Sequence, residues 1–392
     1  MKKLIPLIVL ILIGISGVVA YHFMKERPIP PAGIQKNSFN PRSNERQVTF
    51  LSDIYEIDSI YKSMKGPSSK EEILLIDSKE PELIWITGYS AMMVGPDGET
   101  PMSQEFMCHS NLDFDSKTHN YLFQSRTNPL RDRLFTLSQG QNDVRFPEGF
   151  GIPMLSPETL SLTTQVLNLN HENADLKTRH KVTISYIRDS ELKSPIKPLI
   201  QLAANGMKRL DEHDDGYFGV MEPDKEIHGS GCLLGENASS HVQRDEYYRK
   251  FTGHWVVKPG KEVNHTLVTD YLRIPYDTTV HYIAIHLHPF AESLELRDLT
   301  TGETVFRSKA RNSENRIGLD YVDYFSATEG IPVYKGHEYQ LISIYNNTTD
   351  SDQDSMAVIY MYMLDKDYRR PNESVAEILN FKPASKNSIS EK

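Results

Sequence analysis

DTTVHYIAIHLHPFAESLELR, residues 277–297, reads as a buried β-strand carrying two histidines. Side chains along a strand alternate faces, so Tyr282, Ala284, His286 and His288 are expected on one side. Ile283, Ile285 and Leu287 then fall on the other, in an apolar layer. Two imidazoles two residues apart on a rigid strand can converge on one metal ion, and imidazole suits copper, zinc, iron and nickel. A pair of core or surface histidines satisfied by neighbours gives the same H-x-H pattern. The spacing alone leaves both open.

Outward from this strand, the chain from Leu83 is a series of short β-rich runs broken by turn residues. LIWITGYS, the turn Pro96-Asp97-Gly98, EFMCHSNLDF, YLFQSR and RLFTLS come before it, followed by LSLTTQVLNLN and HKVTISYIRD. SLELRD, the turn at Thr301-Gly302, ETVFRS, EYQLISIYNN and MAVIYMYM come after it. Many short strands with few amphipathic helical segments predict an all-β protein, two tandem jelly-roll or β-sandwich domains. The first is expected over 81–198 and the second over 199–366. Residues 208–252, acidic and rich in Gly and His, read as a long insertion in the second domain.

The ends of the chain carry address rather than chemistry. Lys2 and Lys3 precede the apolar run Leu4–Ala20, which predicts a signal peptide or membrane anchor over residues 1–27. The protein is therefore expected to be exported, periplasmic or extracellular, with residues 4–24 as the anchoring segment if it is retained. Residues 28–80 read as a tether, with Glu71–Asp77 as a first strand or docking segment. Residues 367–392 read as a disordered tail. The formal net charge of −10, without basic clusters, argues against nucleic acid as a partner. Only Cys108 and Cys232 occur, so this is no disulfide scaffold.

The order of these features resembles the copper type II, ascorbate-dependent monooxygenases, the group of peptidylglycine α-hydroxylating monooxygenase and dopamine β-monooxygenase. The similarity is remote and runs from about Trp85 to Tyr362, interrupted by the insertion. It implies one copper held by the H-x-H pair, His286 and His288, and by a distant methionine. That methionine falls on Met356, at the end of PVYKGHEYQLISIYNNTTDSDQDSM, and the tyrosine four residues beyond it is Tyr360. A soft thioether beside two imidazoles favours copper over zinc. Met356, Val358, Tyr360 and Tyr362 are expected on one strand face, with Tyr360 as a packing or hydrogen-bonding neighbour of the site.

The family's other copper uses three histidines in the first domain, and here the pattern departs. Its His-His pair falls on Cys108-His109, and its third histidine falls on Asn170, with His171 one residue out of register. A one-residue shift changes the face of a strand. Cys108, His109 and His171 thus remain either a vestigial second metal site or ordinary packing. His213, His228, Cys232 and His241, with His254 just beyond, form a weaker constellation, and a Cys108–Cys232 disulfide is a simple alternative for both thiols. The resemblance implies hydroxylation of a C–H bond with O2, copper as cofactor, and an external reductant. The alternative expectation is a non-enzymatic exported protein that binds, senses or delivers copper.

Overall fold

The computed structural model describes residues 42, 44–76, 81–125, 132–172, 174–210, 218–219 and 242–371. All lie in one compact unit, Ala32–Lys392. The fold is all-β, and its sandwiches share a sheet. A ten-stranded sheet runs in the order Arg46–Leu51, Leu176–Arg188, Leu83–Val94, Phe150–Leu155, Lys197–Asn205, Ala357–Leu364, Thr278–Leu287, Phe325–Val333, with two short strands off this path. Its halves join where Lys197 and Pro198 pair in parallel with Phe150 and Gly151. A four-stranded sheet (Ser68–Ile73, Leu160–Val166, Met107–Phe114, Arg133–Leu137) belongs to the first half. A five-stranded sheet (Gly260–Leu267, Tyr339–Asn347, Ala291–Asp298, Thr304–Asn312, Leu319–Val322) belongs to the second.

The strand Thr278–Leu287 explains this arrangement. It pairs with Ala357–Leu364 in antiparallel register, Ala284 opposite Tyr360 and His286 opposite Val358. Its alternation divides two cores. Tyr282 and Ala284, with Val358, Tyr360 and Tyr362, join the core beneath the four-stranded sheet, among residues such as Leu112, Phe135 and Leu162. Ile283, Ile285 and Leu287, with Ile359 and Met361, join the core beneath the five-stranded sheet, with Leu294, Leu296 and Leu341. Each fully buried aliphatic side chain contributes about 1.5–3 kcal/mol. Both faces of this strand pair are committed to burial, which fixes its register.

Two expectations are corrected. Residues 46–73 are not tether: Arg46–Leu51 forms the edge of the long sheet against Leu176–Arg188, and Ser68–Ile73 pairs with Leu160–Val166. An edge strand buries little, so its half-exposed RQVTFL gives only a faint apolar alternation. YLFQSR is not a strand: Ser116–Phe123 is helical, started by Asp115, whose carboxylate accepts from the Lys117 and Thr118 amides. The insertion begins and ends in a small sheet of Lys208–Arg209, Lys250–Thr252 and Val242–Arg244. The leader 1–27, His213, His228, Cys232, His241 and the tail from 372 lie outside the described residues. No helix among the described residues is long and apolar enough to cross a membrane.

Candidate functional site

His286 is the penultimate residue of the strand Thr278–Leu287 and His288 follows its end, at the rim where the two sandwiches meet. A hairpin of the first sandwich buttresses this end. Gln141 accepts from the Ile285 amide at 2.8 Å, and the Gly140 carbonyl accepts from the Val322 amide at 2.9 Å. In the same hairpin Ser138 Oγ lies 2.9 Å from His286 Nδ1, while its hydroxyl donates to the Gln139 carbonyl at 3.5 Å. His288 Nδ1 lies 3.3 Å from the Asp354 carbonyl. A carbonyl only accepts, so the His288 proton sits on Nδ1 and Nε2 keeps its lone pair. The rings stand nearly perpendicular with centroids 5.3 Å apart.

Tyr345 links the two segments that carry the expected ligands. Its hydroxyl accepts from the His288 amide at 3.3 Å and donates to the Met356 carbonyl. The strand registers agree with this link. Leu287 lies opposite Ala357, so one further step sets Met356 beside His288. Trp255 lies opposite Ser355, so one step from that side sets Met356 beside His254. Met356 packs its side chain against the first core, on the face it shares with Tyr360. Tyr360 is buried between Ala203 and Ala284, a packing residue.

His254 and Asp354 are the participants that the sequence did not assign to this site. The His254 and His288 rings lie 5.6 Å apart. Asp354 Oδ2 is 3.6 Å from His288 Nδ1 and 3.9 Å from His254 Nδ1, too long for hydrogen bonds but close enough to favour positive charge on either ring. Burial outweighs that effect at His288 and lowers its pKa to about 4. Burial, then the neighbouring His288, holds His286 well below the usual imidazole range. Both rings are therefore neutral at physiological pH, the form in which imidazole ligates metal.

The first-domain triplet does not assemble. Met107 pairs with Val166 and His109 with Gln165, so Cys108 is the extra residue of a β-bulge. The bulge sends the Cys108 side chain to the wall of the cavity that His286 and His288 also line. Cys108 is a free, buried thiol whose pKa burial raises to about 11. His109 Nδ1 contacts its sulfur at 3.3 Å, and burial pushes His109 down to about 3. His171 is directed elsewhere. Its ring is half exposed and lies 3.4 Å from Glu105. Asn170, at the expected third-ligand position, instead donates to the Ile317 carbonyl at 3.0 Å and accepts from its amide at 2.8 Å.

The shared cavity has a volume of about 310 Å³. Among the described residues no group of three or more His, Cys, Asp or Glu is gathered closely enough to hold a metal ion. What the site does gather is two imidazoles, their Nδ1 atoms on oxygen partners and Nε2 left over, with Met356 adjacent in register, and imidazole and thioether are donor types that suit copper.

No family model matches the chain. No curated protein matches it either. Among solved structures it is similar to the STIV MCP, with 9% identity over 83% of this chain and 98% of that one and a TM-score of 0.31. It is also similar to a chain of the Sulfolobus Turreted Icosahedral Virus structure, with 8% identity over 86% and 94% and a TM-score of 0.27. A chain of the Sputnik virophage structure follows at 9% identity over 92% and 97%, with a TM-score of 0.19. Likenesses this slight carry no functional argument.

Proposed function

We propose that this chain is an exported copper protein that hydroxylates a C–H bond at a single site. His286 and His288 would hold the ion with their unspent ring nitrogens, and Met356 would add a weak thioether donor. Copper bound there would supply one-electron redox chemistry. The chain's own residues do the rest. Ser138 and the Asp354 carbonyl fix the ring orientations, and Tyr345 holds the His288 and Met356 backbones together. The two rings themselves are buried at the floor of the shared cavity. Substrate, O2, two electrons and two protons give alcohol and water, with the electrons drawn from an external reductant.

The observation that carries this reading is the Tyr345 hydroxyl, which ties the two expected ligand segments to each other across the fold. The reaction itself comes from the family resemblance, since fold alone does not specify chemistry. A second reading, a non-catalytic copper binder, is favoured by one fact. Asn170 stands where a relay ligand is expected and is spent on Ile317.

Copper stoichiometry on the full chain, followed by oxygen uptake with ascorbate, tests both. One copper per chain is expected, lost in His286→Ala and held at least tenfold more weakly in Met356→Ala. Substrate-dependent oxygen uptake favours the enzyme, and one tightly bound copper without uptake favours the binder. Copper content unaffected by His286→Ala would sink both.

A further inference from the structure

We propose that the cavity between the two sandwiches binds a compact, uncharged, largely apolar molecule as the substrate of the His286/His288 site. As a substrate assignment it rests on the copper reading; as a binding site it stands on the walls alone. About 310 Å³ is at the small end of ligand pockets and suits a single-ring or fused-ring compound. Ile60, Met107, Leu167, Leu169, Phe290 and Ile317 line it, from both sandwiches. Ile60 is 40% exposed although it stands at the wall of a cavity, an apolar side chain without full cover.

Several polar groups of the lining are occupied already, and those left over, His286 and His288 Nε2 and the buried Asp354 Oδ2, only accept. Ser138 is spent on His286, and the Asp354 carbonyl on His288. Gln139 donates to the Glu105 carbonyl at 2.6 Å and accepts from the Leu319 amide at 3.1 Å. An anionic ligand entering here would lose its hydration and meet mostly acceptors in its place. The charged side chains in the lining are Lys62, Asp352 and Asp354, one cation against two carboxylates, which disfavours an anion. An apolar ligand loses nothing by entering and gains the release of water from the walls.

Backbone strain marks the same place. Phe290, in the wall directly after His288 and Pro289, has φ 70°, uncommon for a bulky side chain. Its amide donates to Asn312 at 2.6 Å and its carbonyl accepts from the Asn346 amide at 2.8 Å. The surroundings thus hold a conformation the residue does not favour, as is common at ligand sites.

Calorimetric titration of the copper-free full chain with indole, and with anionic indoleacetate, tests the proposal. Indole should bind once per chain, and indoleacetate at least tenfold more weakly. Leu169→Trp and Ile317→Trp, which fill the cavity from opposite sandwiches, should each weaken indole at least tenfold. Far-ultraviolet circular dichroism matching the parent selects the variants that count. Absence of saturable indole binding, indoleacetate binding as tightly as indole, or undiminished binding in a folded Trp variant would overturn the proposal. Indole binding without copper binding would remove the copper reading and leave the apolar site. Copper binding without indole binding would do the reverse.

Discussion

The two sandwiches each place histidines near their junction, and the structure treats them differently. In the second, His286 and His288 keep their Nδ1 atoms on fixed oxygens, and a tyrosine hydroxyl joins their segment to Met356. In the first, His109 leans on a cysteine within a bulge, His171 turns to Glu105, and Asn170 is consumed by Ile317. Residue type alone does not make a ligand set. What separates the two regions is whether the rings sit together with Nδ1 held by fixed oxygens. The first region looks built to hold the fold, and the second to hold something else.

The largest effect that could blur this contrast is in acid. If the first region's histidines are structural, their buried neutral state should make stability depend on pH. His180, wholly buried with Tyr55 edge-on at 6.1 Å, is lowered to about 4, mainly by burial, with the Gln165 backbone opposing. The unfolded chain takes up this proton near pH 6.5, whereas the fold resists until about pH 4. Stability from this group is thus complete above the unfolded value and is lost as pH falls through the interval between the two. The loss is on the order of 3 kcal/mol. Urea unfolding of the copper-free protein at steps across that interval should show stability falling, with a shallower fall in His180→Leu. Equal slopes would mean that His180 does not resist protonation in the fold.

A smaller effect should come from Asn170, the residue at the missing ligand position. Its side chain exchanges two hydrogen bonds with Ile317 and donates a third to Glu105 at 3.2 Å, pinning the first sandwich to a loop of the second. Asn170→Ala should cost about 2 kcal/mol of unfolding free energy. It should leave copper stoichiometry unchanged. If copper falls with it, the first region contributes to the metal after all, and the contrast drawn here is wrong.

Much of this was legible in one dimension because the central strand is buried on both faces. The alternation in HYIAIHL assigns Tyr282 and Ala284 to one core and Ile283 and Ile285 to the other, as the fold has them. The partners that orient the histidines were not legible. Ser138 reaches His286 across 148 residues, and Asp354 reaches His288 across 66. Neither separation leaves a local pattern. His254 was grouped with the insertion because it follows it in sequence. The register of Trp255–Val257 against Gln353–Ser355 instead carries it to Met356. The bulge at Cys108 is equally silent, since an extra unpaired residue changes no composition.

The mildest substitution addresses the feature on which the contrast rests. Ser138→Ala removes one oxygen from a buried residue and leaves His286 itself intact. If the hydroxyl fixes the ring so that Nε2 faces the metal, its loss should weaken copper binding about tenfold, the low end for an outer hydrogen bond to a ligating imidazole. The stoichiometry should remain one, which separates an orienting role from that of a ligand. Ser138→Thr keeps the hydroxyl and should recover most of the affinity. His171→Ala is the matched control in the first sandwich, where the same competition titration against a copper chelator should move by less than about twofold, because its half-exposed ring turns to Glu105. If Ser138→Ala binds copper like the parent, the orientation of His286 is set by packing alone. The difference between the two regions then lies in their strands, not in the hydrogen bonds around them.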